Sequence, residues 1–126
     1  PHAGTWRDAN IPALGYDFNV PMYAVTKEGS DKGCAPCSLS LFETNISDRV
    51  VMETVKKCEA SDEYVIRLYE CYNSDITCTL TSFKSFAYAY ECNMLEENIC
   101  EIPVDANRIT FKMGPYEIKT LKVKLV

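Results

Sequence analysis

The chain has 126 residues, which is the length of one domain able to bury a core of its own. Lys+Arg 13 against Asp+Glu 18 gives a net charge of −5, and the absence of a basic run argues against binding to a phosphate backbone. No apolar stretch approaches the roughly 20 residues of a membrane-spanning helix, and no signal-peptide pattern is present. Nucleic acid and membrane are therefore not expected partners. The chain starts at Pro1, so we expect a processed product or a piece of something longer.

The first third reads as irregular. Thr5 through Leu14 is compatible with one short helix, limited by Pro12. Tyr23–Thr26 reads as a short strand. The polar stretch from Glu28 to Gly33 reads as a loop and as the best candidate for a mobile segment. From Ser38 onward the period is two. Leu39 and Leu41 alternate with serines over Ser38–Glu43, and Val50–Lys57 is β-branched and half polar. Tyr64–Tyr72 is long and aromatic. Ile76, Cys78 and Leu80 alternate with Thr77, Thr79 and Thr81, apolar on one face and hydroxyl on the other. Phe86, Tyr88 and Tyr90 alternate with alanines, and the tyrosine face is read as core in preference to a sheet face that docks on another domain. Ile109, Phe111 and Met113 alternate with Thr110 and Lys112. In the last run Ile118 is out of phase with Leu121, Val123 and Leu125, which predicts a β-bulge near Lys119–Thr120. Asn73-Ser74-Asp75 reads as a hairpin turn, and Asp105-Ala106-Asn107 and Gly114-Pro115 bracket a strand. The prediction is an all-β fold: an antiparallel two-sheet β-sandwich of about seven strands, after an irregular N-terminal segment with at most one short helix.

Seven cysteines, an odd number, cannot all pair internally, and a chain of this length does not depend on disulfides. Several fall at strand-interior positions, where Cys is a small hydrophobe. We read them as reduced thiols in a cytoplasmic protein. Cys34-Ala-Pro-Cys37 has redox or half-zinc-site spacing, but no second ligand pair accompanies it and it precedes a strand, so it reads as a turn. The sequon Asn45-Ile46-Ser47 has meaning only in a secreted protein.

Catalytic chemistry finds little to use. His2 is the one histidine, near the start of the chain, so a Ser-His-Asp or Cys-His arrangement has no other choice. Glu96-Glu97 is an adjacent acidic pair. On a strand its members would face opposite ways, so it reads as solvated charge and not as a glycosidase pair. Arg67 and Glu70 likewise face opposite sides, and Arg67 is expected to meet a cross-strand carboxylate.

Several segments resemble the C-terminal region of glycoside hydrolase family 38 α-mannosidases, particularly the bacterial type. They are Pro1-His2-Ala3-Gly4-Thr5-Trp6-Arg7-Asp8-Ala9, Glu53-Thr54-Val55-Lys56-Lys57 through Glu59, Val65-Ile66-Arg67-Leu68-Tyr69-Glu70 and Asn93-Met94-Leu95-Glu96-Glu97-Asn98. The closing stretch is the most specific: Ile109-Thr110-Phe111-Lys112, then Pro115-Tyr116-Glu117-Ile118-Lys119-Thr120-Leu121. Their order and spacing match along nearly the whole chain.

The resemblance implies a parent α-mannosidase, a retaining glycosidase acting on α-linked mannose of glycans with a carboxylate nucleophile and zinc. Those groups belong to the family's N-terminal α/β domain, and none of their motifs is found in this chain. Residues 1–33 are then a connecting segment from a central β region, and 34–126 the C-terminal β-sandwich. No catalytic residue, metal site or cofactor is assigned here; zinc is implied for the parent alone. The expected partners are the catalytic and central domains of the same polypeptide, with the α-mannoside glycan as the parent's substrate; homo-oligomerisation of the parent is left open. His2, Trp6 and Arg7 are weak candidates for interface or substrate-cleft contacts, with Trp6 as a core anchor capped by Arg7 as the plainer reading. The alternative is a free-standing carbohydrate-binding or protein-interaction sandwich, with exposed coplanar tyrosines as sugar platforms or with a sheet edge as a dimer contact.

Overall fold

The computed structural model describes residues 1–26, 28–29, 33 and 36–126. They form two compact units, Pro1–Leu39 and Ser40–Val126, each taken separately below.

In the first unit, Thr5 and Asp8 close a reciprocal cap. The Thr5 amide donates to Asp8 Oδ2 at 2.8 Å, and the Asp8 amide donates to Thr5 Oγ1 at 3.3 Å. Gly4 sits at φ +76°, where a Cβ would meet Asp8 Oδ2 at 2.7 Å, so the cap itself requires glycine. A turn over residues 6–10 ends at Asn10, which adopts a left-handed φ of 47°. Helix α1 follows at Ile11–Asn19, later than the sequence suggests. Pro12 lies in its first turn and helps to start it, since the amides there have no helical acceptor to lose. The strand expected at Tyr23–Thr26 is not formed, because no ladder partner meets it. Half of the loop expected to be mobile, Ser30–Lys32, lies outside the described residues, as do Lys27 and, in the CxxC motif, Cys34 and Ala35.

The second unit is a β-sandwich of nine strands: β1 (Phe42–Thr44), β2 (Val50–Lys57), β3 (Tyr64–Glu70), β4 (Ile76–Ser82), β5 (Phe86–Cys92), β6 (Asn98–Ile102), β7 (Val104–Asp105), β8 (Arg108–Met113) and β9 (Ile118–Leu125). One sheet has the order β1-β4-β8-β7 and the other β2-β3-β9-β5-β6, with antiparallel pairing throughout. The expected count of about seven misses β6 and β7. β6 carries four exposed residues before Ile102, so it shows no alternation, and β7 has two residues.

The core lies between the sheets. Ile66, Leu68, Leu121 and Val123 of the five-stranded sheet are fully buried, as are Cys78, Leu80, Ile109 and Met113 of the other. The register explains the match: Leu80 faces Ile109 across β4–β8, and Ile66 faces Leu121 across β3–β9. The threonines alternating with these residues form the opposite face of the four-stranded sheet, where Thr79 and Thr110 hydroxyls lie 3.0 Å apart.

Several local expectations change. β1 is short, and its pairing of Phe42 with Ser82 turns Phe42 inward, leaving Leu39 and Leu41 exposed. Asn73-Ser74-Asp75 is not a hairpin turn: β3 and β4 belong to different sheets, so the segment is a crossing between layers. β5 has a register shift between Phe86 and Tyr88, which makes Phe86 and Ala89 the buried residues. Tyr88 and Tyr90 are half-buried on the outer face and not core. β9 has no bulge. It pairs with β3 without interruption from Tyr69↔Ile118 to Tyr64↔Val123. The phase slip disappears because Ile118 points outward and Lys119 takes the inward position, at the end of the core. Lys119 Nζ there lies 2.8 Å from Glu91 Oε2 and 3.0 Å from Glu117 Oε1. Burial alone would depress the Lys119 ammonium; the two carboxylates outweigh it and hold its pKa above the ordinary value.

Candidate functional site

The outer face of the five-stranded sheet is covered at one end by two turns, 58–63 after β2 and 93–97 after β5. The second is built on Asn93. Its Oδ1 accepts the Leu95 amide at 2.9 Å and the Glu97 amide at 3.0 Å, an Asx-type turn. Its backbone closes the ring, with Asn93 N donating to Glu97 O and Glu96 N to Asn93 O, both at 3.0 Å. Glu96 adopts φ 66°, a left-handed conformation that costs energy for a residue with a Cβ and so needs compensation.

The compensation is in its carboxylate, whose side chain is only 10% exposed. Oε2 accepts the Cys58 thiol and the Glu59 amide, each at 2.9 Å, and Oε1 meets Lys56 Nζ at 2.8 Å. Lys122 Nζ donates to the Glu96 carbonyl at 2.8 Å. The Cys58 thiol, the Lys56 ammonium and the Glu59 amide hold the Glu96 carboxyl at about 2, well below its ordinary 4.5. Glu96 therefore joins β2, β9 and the two turns. It is not the solvated charge that the acidic pair suggests, and it lies on a turn and not on a strand. The only sign in the sequence is Asn93 followed by an apolar pair and an acid, which is a common composition.

Beside this tie lies a cleft of about 530 Å³, lined by Lys56, Lys122, Glu59, Glu63, Met94 and Leu95 among others. Met94 and Leu95 point into solvent at the tip of the turn.

A second carboxylate is equally committed. Glu70 ends β3 on the core side and is 1% exposed. Oε1 accepts the Tyr72 amide at 2.7 Å and the Ser74 hydroxyl at 3.0 Å; Oε2 accepts the Asn73 and Tyr116 amides, each at 2.9 Å. Burial pushes its pKa up, but the Tyr116 and Tyr72 amides and the Ser74 groups outweigh this and leave it below the ordinary value.

The residues singled out from sequence do not converge on these features. Trp6 and Arg7 are neighbours in the first unit, with the guanidinium carbon 5.0 Å from the indole centroid, a cation–π contact. Trp6 is partly exposed there, and His2 is exposed. Arg67 Nε lies 3.4 Å from Thr120 Oγ1, a cross-strand hydroxyl in place of the expected carboxylate. Asn45 uses its side chain within the fold, accepting the Thr79 amide at 2.8 Å. The Tyr88 and Tyr90 rings are 5.7 Å apart and inclined at 58°, so they do not form a coplanar platform.

The strands thus define a two-sheet antiparallel β-sandwich domain whose buried ionisable groups tie turns to strands. Residues 49–121 match the family model described as the glycosyl hydrolases family 38 C-terminal beta sandwich domain, and the chain belongs to that family. It is similar to Alpha-mannosidase 2C1 of Mus musculus, at 28% identity over 99% of this chain and 12% of that protein. It is 30% identical to Alpha-mannosidase 2C1 of Homo sapiens over 99% of this chain and 12% of that protein. Alpha-mannosidase G of Dictyostelium discoideum is also 30% identical, over 97% of this chain and 11% of that protein. The chain thus spans about one eighth of the length of these relatives.

Proposed function

We propose that the chain is the C-terminal, non-catalytic domain of an α-mannosidase and supports the domain that hydrolyses α-linked mannose. The observation that carries this reading is the match of residues 49–121 to the family's C-terminal sandwich, in a chain that spans 12% of its relatives' length; the state of its carboxylates agrees with it. A glycosidase needs a carboxyl group whose pKa is raised so that it can donate a proton. Among the described residues, every carboxylate with a shifted pKa is shifted downward: Asp8, Asp62, Glu70, Glu96 and Glu117. Each is held as an anion by amides, hydroxyls, a thiol or lysines, which is the condition of a structural tie. Among the described residues no three His, Cys, Asp or Glu side chains are grouped so as to hold a metal ion. On this reading the zinc that the resemblance implies has its ligands in another part of a longer polypeptide, and the retaining chemistry takes place there.

The reading extends to a connecting role for residues 1–33, contacts from His2, Trp6 and Arg7 to neighbouring domains, and a cytoplasmic setting. The last is supported by the cysteines: Cys37, Cys58, Cys71, Cys78, Cys92 and Cys100 are all free thiols. The experiment is an aryl α-mannoside assay on the full polypeptide and on the 126 residues alone. Activity in the first and none in the second is expected. Turnover by the 126 residues above a denatured control would overturn the proposal.

A further inference from the structure

The two outer faces of the sandwich differ in one feature. That of the four-stranded sheet is lined by threonines and suits water. That of the five-stranded sheet carries the 93–97 turn, which holds Met94 at 65% and Leu95 at 78% exposure. This tip is rigid. The Asn93 side chain and backbone close the turn, and the Glu96 carboxylate and carbonyl tie it to Cys58, Glu59, Lys56 and Lys122. Two adjacent apolar side chains presented on a preorganised turn lose little conformational entropy on docking, and that is how anchor residues are built.

The cleft beside the tip specifies the charge of its partner. Glu59, Glu63, Glu96 and Glu97 line it against two ammonium groups: Lys56 is shared by Glu59 at 2.7 Å and Glu96 at 2.8 Å, and Lys122 is held by the Glu96 carbonyl. The neutral donors on Glu97 and Glu63, the Asn93 amide and the Ser61 hydroxyl, leave their charge in place. Four carboxylates against two ammonium groups leave the rim net negative, with Glu63 and Glu97 outside the lysine pairs.

We propose that the Met94–Leu95 tip and its acid-rimmed cleft dock on an apolar surface bordered by Lys or Arg, in the part of the same polypeptide that lies outside these residues. This rests on the reading of the chain as a domain of a larger α-mannosidase, and the relatives' length, of which the chain spans 12%, supplies the partner. A surface of that chemistry buries both apolar side chains and neutralises the rim, so charge selects the orientation and the apolar tip supplies most of the affinity.

The test uses the full-length protein with a photo-crosslinking phenylalanine analogue in place of Leu95, and separately in place of Thr110 on the threonine face. From position 95 we expect an intramolecular crosslink at monomer mass, to a peptide outside the 126 residues that contains Lys or Arg. Yield from position 110 should be lower by roughly tenfold, and adding Glu63→Lys with Glu97→Lys should reduce the yield at 95 by a similar factor, as loss of about 1.4 kcal/mol implies. A crosslink at dimer mass, a crosslink into Pro1–Leu39, or none from a folded protein would each overturn the proposal. Failure of the underlying reading is separate: the full-length protein would then lack α-mannosidase activity whatever position 95 contacts.

Discussion

The backbone amide of Tyr116 donates to Glu70 Oε2 at 2.9 Å across a sequence separation of 46 residues. Both residues lie where the chain passes from one sheet to the other: Glu70 before the β3–β4 crossing, Tyr116 within the β8–β9 crossing. One carboxylate therefore binds both passages between layers. Tyr116 sits at φ 55°, and the bond offsets part of the strain of that conformation.

Glu70→Gln should destabilise the domain by roughly 2–4 kcal/mol, since the amide nitrogen would face two backbone donors that lose their acceptor. Urea unfolding of the two proteins measures this. A loss of a few tenths would mean that the crossings hold without Glu70.

The Glu96 carboxyl predicts a pH dependence of stability. Its folded pKa, about 2, lies below the unfolded 4.5, so the unfolded state binds the proton more readily. The contribution is complete above the unfolded value and disappears as pH falls toward the folded one. Denaturation midpoints taken between those values should fall more steeply for the natural protein than for Glu96→Gln. Parallel curves would remove Glu96 as the tie.

Thiol reactivity should follow burial. Burial pushes the Cys78 thiol up to about 11, and also raises Cys92. Thiolates are the reactive species, so Cys37 and Cys100, both exposed, should be alkylated first in the folded protein. Cys58, Cys78 and Cys92 should react only on unfolding. Mass spectrometry of iodoacetamide-treated protein reads the order directly, and early labelling of Cys78 would contradict the core described above.

The register shift in β5 can be tested with alanines two positions apart. Ala89 is fully buried, opposite Val123 and Ile102, while Ala87 is exposed. Ala89→Leu should cost roughly 1–3 kcal/mol by overpacking, and Ala87→Leu should stay within about 0.5 kcal/mol. Thermal unfolding decides it. Tolerance of Ala89→Leu as well as Ala87→Leu would return the tyrosine face to the core.

The sequence by itself determined that the chain is a β-sandwich and which family it resembles. Strict alternation in β4, β8 and β9 marked strands because side chains on a strand repeat every two residues and one face is dry. What alternation does not contain is the sign of the phase, the partner strand or the sheet. Leu41, Tyr88 and Tyr90 looked as apolar as any core residue; the pairing of the adjoining strands turned them outward. Ile118 and Lys119 exchanged their expected places because Glu91 and Glu117 could satisfy an inward lysine. Glu96 read as solvated charge until the turn from Asn93 brought it against Cys58 and Lys56, whose positions come from another strand. Local period is a property of neighbouring residues and is visible in the chain. Burial, charge state and docking surface depend on which distant groups arrive at one point, and only the tertiary structure decides that.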